Sequence, residues 1–434
     1  MTERLNYFLE TAGHIPHQQY GFTTGKSTVD AILAITEHVS CCRKIGQKCC
    51  LLALDIAGAF DNAWHPGILA RLRKLNCPPN IYCLIRDFLG DRMAHIKLGN
   101  STCSKRVTKG CPQGSVSGPT IWNLVISDLI ELLSTVPNVR TVVYADDIMI
   151  IIQGPSHAAI LSTLQNTLPA IEKWCSDHRL EISKEKSALM PMFIRNRDEY
   201  KRHPTTVEWG LNVVSKMKYL GVMMDCKLDW FPHSQHLELK ILRIRNRLVR
   251  CSKATWGMSY HNLLTIYKHA ILPVLTYASA VWCNKTTQRA KSKLLQIQRS
   301  YLIFMTKAYK TVSSEALSAI AGIMPLDLAM LLLNDIRSIS RGQPTSATLP
   351  ERKKIEIPTK IRNIHPKDNH IEVDLSGTEG KAYISIYTDG SKTEHHVGAS
   401  MVAVENLTEI YIETQRLHTT CTVFKPNSAV SLWL

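Results

Sequence analysis

Two stretches of this 434-residue chain put carboxylates where burial makes them costly. Leu51-Leu52-Ala53-Leu54-Asp55-Ile56 is an almost unbroken apolar run carrying one acid. Apolar residues at both parities predict a strand covered on both faces and central in its sheet. An isolated carboxylate in such a place is unfavourable unless it is paired or binds a metal. The run from Val142 to Ile152 repeats the situation with two adjacent acids, Asp146 and Asp147, at the tip of two predicted strands. Neighbouring carboxylates repel each other, and a divalent cation relieves the repulsion. Three acids at neighbouring strand ends suit Mg2+, a hard ion that takes oxygen ligands, with Mn2+ as a substitute. Two such ions about 3.5–4 Å apart activate a 3′-hydroxyl and stabilise a leaving pyrophosphate in an in-line displacement. A lone Asp in a strand more often makes a local hydrogen bond. An Asp pair flanked on both sides by apolar residues tips the balance toward an ion.

Positioning these acids requires strands backed by helices. Up to about Asp225, helical patterns alternate with short apolar strands, which predicts an α+β fold. Helices are expected over 28–42, 64–75, 81–89, 119–133 and 158–178, and strands over 49–55 and on both sides of the 142–152 turn. From about His233 to Leu333 the texture changes to helices rich in Leu, Arg and Lys. There Ile241, Ile244 and Leu248 fall on one predicted helix face, and Lys240, Arg243, Arg247 and Arg250 on the opposite one. Residues 342–361 read as a linker. Strands are expected again over 382–388 and 399–404.

Lys plus Arg number 52 against 36 for Asp plus Glu, a net charge of +16. That surplus favours a polyanionic partner, either nucleic acid or an anionic membrane. It is concentrated, since no Asp or Glu occurs between Leu239 and Ser314 while Lys and Arg recur throughout. Ordinary solvated surfaces mix both signs. No stretch approaches the roughly 18 consecutive apolar residues that span a bilayer, and no signal-peptide core follows Met1, so an intracellular protein without membrane attachment is expected. Adjacent cysteines such as Cys41-Cys42 and Cys49-Cys50 suit neither a disulfide framework nor a zinc knuckle, and read as reduced thiols.

LDIAGAFD (Leu54–Asp61), KGCPQGSVSGP (Lys109–Pro119) and YADD (Tyr144–Asp147), in that order, resemble motifs A, B and C of reverse transcriptases. ISKEKSAL (Ile182–Leu189) resembles motif D, and KYLGV (Lys218–Val222) motif E. QYGFTTGKSTVDAI (Gln19–Ile32) is similar to the segment ahead of motif A in enzymes of non-LTR (LINE-like, type-1) retrotransposons. YADD alone is weak, whereas five motifs in order over roughly residues 1–333 are specific. The resemblance implies an RNA-directed DNA polymerase that takes template RNA, a DNA primer and deoxynucleoside triphosphates. It implies a right-hand fold, with partial fingers and palm over 1–232, a basic helical thumb over 233–341, a linker over 342–381 and a truncated ribonuclease H-like segment over 382–434.

By the same resemblance Asp55 and Asp146 ligate both metals, supported by Asp147 and the Ile56 carbonyl. Phe60 stands at the sugar gate, where an aromatic ring clashes with a 2′-hydroxyl. Gln113, Gly114 and Tyr144 adjoin the incoming nucleotide, in a motif B loop whose glycines let backbone approach a base pair. Lys186 is the motif D general acid for the pyrophosphate, with Lys184 as competitor. Tyr219, Leu220 and Gly221 form the primer grip, and Lys240, Arg243, Arg247 and Arg250 lie along the nucleic-acid backbone. Asp389, in YTDGS, would be the first carboxylate of a ribonuclease H site. The chain departs from that pattern after Phe424, where Pro426 is a poor helix continuation, so ribonuclease H activity is expected to be absent. The fingers strands that hold a triphosphate are not found before Gln19. Two outcomes therefore stay open, an active polymerase and a catalytically silent nucleic-acid-binding fragment. Oligomeric state is left open.

Overall fold

The computed structural model describes residues 1–112, 114–194, 197–251 and 257–341, and the backbone of 384–392, 397–405 and 408–417. It divides into two compact units, Met1–Leu349 and Pro350–Leu434.

The strand elements of the first unit are β1 (Lys48–Asp55), β2 (Arg92–Leu98), β3 (Ser101–Val107), β4 (Val139–Tyr144), β5 (Asp147–Gly154), β6 (Ala188–Pro191), β7 (Asn212–Val213), β8 (Lys216–Tyr219) and β9 (Val222–Asp225). Five of them form one sheet in the order β4-β5-β1-β6-β7, antiparallel except for the last pair. The apolar run of β1 is thus central, flanked by β5 and β6, as its two-sided apolar pattern requires. Successive residues alternate between two cores. Cys50, Leu52, Leu54, Ile148, Ile150 and Ile152 face the first, with the helices Gly118–Ser134 and His157–Asp177. Cys49, Leu51, Met149 and Ile151 face the second, with the helix Thr28–Lys44 and helices from beyond residue 230. The strand period of two sorts one sequence into two packed layers.

The helix Thr28–Lys44 starts at a capping box, in which Ser27 and Asp30 satisfy each other's backbone N–H groups. The helices Phe231–Cys251, Gln288–Thr306 and Leu326–Ser340 follow β9. They share the second core with the sheet, Leu51 and Ile151 clustering with Tyr267 and Tyr301. The expected linker over 342–361 lies outside the described residues. In the second unit β10 (Ile384–Lys392), β11 (Val397–Glu405) and β12 (Thr408–Leu417) form an antiparallel sheet in sequence order. No helix among the described residues is long and apolar enough to cross a membrane. The described cysteines are all free.

Candidate active site

β1 and β5 end together, with Asp55 directly opposite Asp147 in the antiparallel register. β4 and β5 are joined by Ala145 and Asp146, and Tyr144 pairs with Asp147 across that turn. The sheet thus brings together three acids that stand up to 92 positions apart in the chain. Asp146 and Asp147 are exposed and Asp55 is half-buried. Asp147 keeps solvent contact, yet the protein around its carboxyl, and next the Asp146 and Asp55 charges, push it up to about 6.

The Asp55 strand end is held from the motif D side. Ala57 N donates to Glu181 O (2.8 Å) and Ser183 N to Asp55 O (2.8 Å), flanking an Ile56–Ile182 bridge and leaving the Ile56 carbonyl out of that pairing. The turn that follows delivers Lys186, whose Nζ stands 3.4 Å from Asp55 Oδ2 on a side chain that is 71% exposed. Lys184 lies instead over the Trp209 ring, at 6.0 Å. Asp55 Oδ2 makes no hydrogen bond. Among the described residues no three His, Cys, Asp or Glu side chains stand as a ready cation cage. The three acids fit a divalent cation by donor chemistry and by register: oxygen donors only, one buried oxygen without a hydrogen bond, and like charges held close.

The Ala145–Asp146 turn is strained and clamped. Ala145 takes φ +59°, a left-handed conformation uncommon for a residue with a Cβ. The buried Trp122 indole donates to the Ala145 carbonyl at 3.0 Å. The loop ahead of Thr28 lies against the other side of the turn. Tyr20 N donates to Val143 O (2.7 Å), Val143 N to Gln18 O (3.0 Å), and Asn123 Nδ2 to Gly21 O (3.0 Å). Lys26 Nζ pins that loop by donating to the carbonyls of His17 (2.5 Å) and Gln19 (2.9 Å). QYGF is recognisable in the sequence as part of a motif, but its contact with the acidic turn carries no signal there.

Phe60 belongs to the short helix Ala59–Asn62 and stacks obliquely on Trp122, ring centres 5.4 Å apart, with Phe22 edge-on at 6.2 Å. The motif B loop closes on that helix through Gly110 N to Ala63 O (2.8 Å) and Cys111 N to Phe60 O (2.7 Å). Gly110, at φ +96°, is the glycine of close approach, because a Cβ there would meet Asp61 O at 2.8 Å. Gly114 takes φ +82°, and a Cβ there would meet no protein atom within 4 Å. Gln113 lies outside the described residues. Tyr219 is buried at the end of β8, its phenol pushed well up by burial and then by the nearby Asp147 charge. Leu220 (φ +43°) and Gly221 (φ +83°) form the β8–β9 turn.

Lys240, Arg243, Arg247 and Arg250 are exposed along one helix, opposite the buried Ile241. Other cations of the acid-free window are consumed internally. Lys293 pairs with Glu238 at 2.7 Å and Lys291 with Asp327 at 3.2 Å, both partners lying outside the window. A second acid-free stretch, Arg92 to Ser127, includes the exposed β2–β3 hairpin. Asp389 falls on β10, opposite Ser400.

Residues 1–224 match the family profile described as reverse transcriptase (RNA-dependent DNA polymerase). The chain is 30% identical over 329 residues to the putative 115 kDa protein in type-1 retrotransposable element R1DM of Drosophila melanogaster, covering 75% of this chain and 31% of that protein. It is also 30% identical over 336 residues to the retrovirus-related Pol polyprotein from type-1 retrotransposable element R1 of Bradysia coprophila, covering 76% and 32%. A 25% identity over 388 residues links it to the RNA-directed DNA polymerase from mobile element jockey of Drosophila melanogaster, covering 82% and 40%. The chain spans about a third of the length of the first two relatives. Among solved structures, apo telomerase from Candida Tropicalis aligns at TM-score 0.39 and 12% identity over 80% of this chain and 58% of that one, too distant to bear on the site. With the motif-bearing half of its length matched to the family profile, the chain belongs to the reverse transcriptase family.

Proposed function

We propose that this chain is the polymerase part of a non-LTR retrotransposon enzyme and extends a DNA 3′-end on an RNA template. The observation that carries the reading is the register pairing of Asp55 with Asp147 beside Asp146, at the open end of strands otherwise sealed in two cores. Asp55, Asp146 and Asp147, with the Ile56 carbonyl, would hold Mg2+ or Mn2+. When bound, such ions offset the carboxylate charge, activate a 3′-hydroxyl and stabilise the leaving pyrophosphate. Lys186, which pairs with Asp55, would hold a proton for that leaving group. Phe60 would exclude a 2′-hydroxyl, with Gln113, Gly114 and Tyr144 lining the nucleotide. Tyr219, Leu220 and Gly221 would seat the primer end. The exposed row Lys240, Arg243, Arg247 and Arg250 would follow the template–primer backbone, a contact weakened by salt. In this reading residues 1–232 supply fingers and palm, residues 233–341 the thumb, and Asp389 marks a ribonuclease H remnant.

The test is primer extension on an RNA template with Mg2+, comparing the chain with Asp146→Asn. Loss of about 100-fold or more in rate is expected when one anionic ligand is neutralised. An unchanged rate in that variant rejects the carboxylate assignment. Template–primer binding without any extension by the parent chain would establish the silent-fragment reading, and cleavage without added nucleotides would point to a nuclease.

A further inference from the structure

The segment after residue 270 reaches back to the β8–β9 turn through one side chain. The helix Leu272–Thr276 ends at Tyr277, and the chain reverses at Ala278 with φ +54°. The Tyr277 carbonyl accepts from Nε1 of the buried Trp282 at 3.1 Å, which fixes the backbone. Its hydroxyl lies 3.0 Å from Leu220 O and 3.0 Å from Thr28 Oγ1. A carbonyl can only accept, so the phenol proton goes to Leu220 and Thr28 is the donor in the second bond. The ring covers Gly221, where a Cβ would come within 3.1 Å of Tyr277 Cε1.

Both central residues of that turn have positive φ, which Gly221 tolerates and Leu220 does not favour. The Tyr219–Val222 pair closes the turn, and the external bond to the Leu220 carbonyl adds a second constraint on the peptide between its two positive-φ residues. Thr28 is itself anchored, for it opens a helix whose capping Asp30 is bonded by Arg337 and Arg341 from the far end of the same unit. We infer that Tyr277 is a positioning residue, holding the Leu220–Gly221 turn against the start of the helix Thr28–Lys44 and, through the turn, the end of a bound primer. The second half of this inference rests on the primer-grip reading of the turn.

Tyr277→Phe keeps the ring over Gly221 and removes only the hydroxyl. Losing one neutral hydrogen bond should loosen the turn, with amide exchange at Val222, which pairs with Tyr219 across it, faster by about three- to tenfold. Affinity of the full chain for a fluorescent primed RNA template should fall by about the same factor, while affinity for the unprimed RNA stays unchanged. Equal exchange in parent and variant overturns the tie. Faster exchange with unaltered preference for primed template overturns the primer assignment of the turn, and does so without reference to the carboxylate site. A parallel loss of primed and unprimed binding means general destabilisation and also overturns the positioning role.

Discussion

Gly21→Ala is the sharpest test of how the acidic turn is held. A Cβ at residue 21 would lie 2.2 Å from Ala145 N, 2.9 Å from the Tyr144 carbonyl carbon and 3.0 Å from Ala145 Cα. All three neighbours are backbone, so no side chain can rotate away. Ordinary contact begins near 3.4 Å, so the loop and the turn must part by about 1 Å. Parting lengthens the bonds from Tyr20 N to Val143 O and from Asn123 Nδ2 to Gly21 O, now 2.7 and 3.0 Å. Overpacking of this kind costs about 1–3 kcal/mol, a fall in melting temperature of roughly 1–4 °C for a unit of this size. The larger effect falls on chemistry, because Asp146 and Asp147 follow Ala145 directly. Misplacing reacting groups by about 1 Å lowers a rate on the order of 100-fold. The assay is single-turnover addition of one nucleotide at saturating primed template, beside a thermal melt. A rate within about threefold of the parent, with an unchanged melt, would show that the loop does not position the turn.

Two more perturbations test separate parts of the structure. Phe60→Val removes the ring that lies against Trp122 and should raise ribonucleotide use relative to deoxyribonucleotide by about tenfold or more; equal selectivity in competitive incorporation assigns Phe60 to packing alone. Burial, and next the His236 charge, push His233 down to about 4, and its Nδ1 accepts from Met223 N at 3.3 Å, which needs the neutral ring. The unfolded chain takes up this proton near pH 6.5 and the folded chain only near 4, so the stability gained is full above 6.5 and is lost as pH falls toward 4. The loss is up to about 3 kcal/mol. His233→Leu should flatten the melting curve over that window, and superimposable pH profiles would refute the assignment.

The carboxylates were legible because their setting is local. Unbroken apolar residues around Asp55 and around Asp146-Asp147 imply sheet interior, and β1 and β5 have that placement. The helix expected over 28–42 forms as Thr28–Lys44, where a capping box and last-turn Arg43 and Lys44 mark both ends. Illegible features depend on partners distant in sequence. Nothing in QYGF announces that Gly21 presses on Ala145. The β2–β3 hairpin gave no sequence signal because it buries no face, with Ile96 72% and Leu98 84% exposed. Its alternation therefore has no apolar side to read. The basic window overstated the free charge, since a count within a window ignores Glu238 and Asp327, which lie outside it.

The two-core arrangement bears on where a functional unit can end. The family-matching residues stop at 224, yet the sheet face made by Cys49, Leu51, Met149 and Ile151 packs in one cluster with Leu263, Tyr267, Leu275 and Tyr301. Residues before 224 would leave that cluster covered by the helix Thr28–Lys44 alone and expose the apolar side chains that the later helices bury against it, each worth about 1.5–3 kcal/mol. The acidic turn is clamped from the first core by Trp122 and Asn123, and β8 approaches Asp147 from the second through Tyr219. Asp146 and Asp147 thus stand where elements of both cores meet. The helices after β9 reach the acidic turn at one remove, through the helix Thr28–Lys44 and the β8–β9 turn that they pack against.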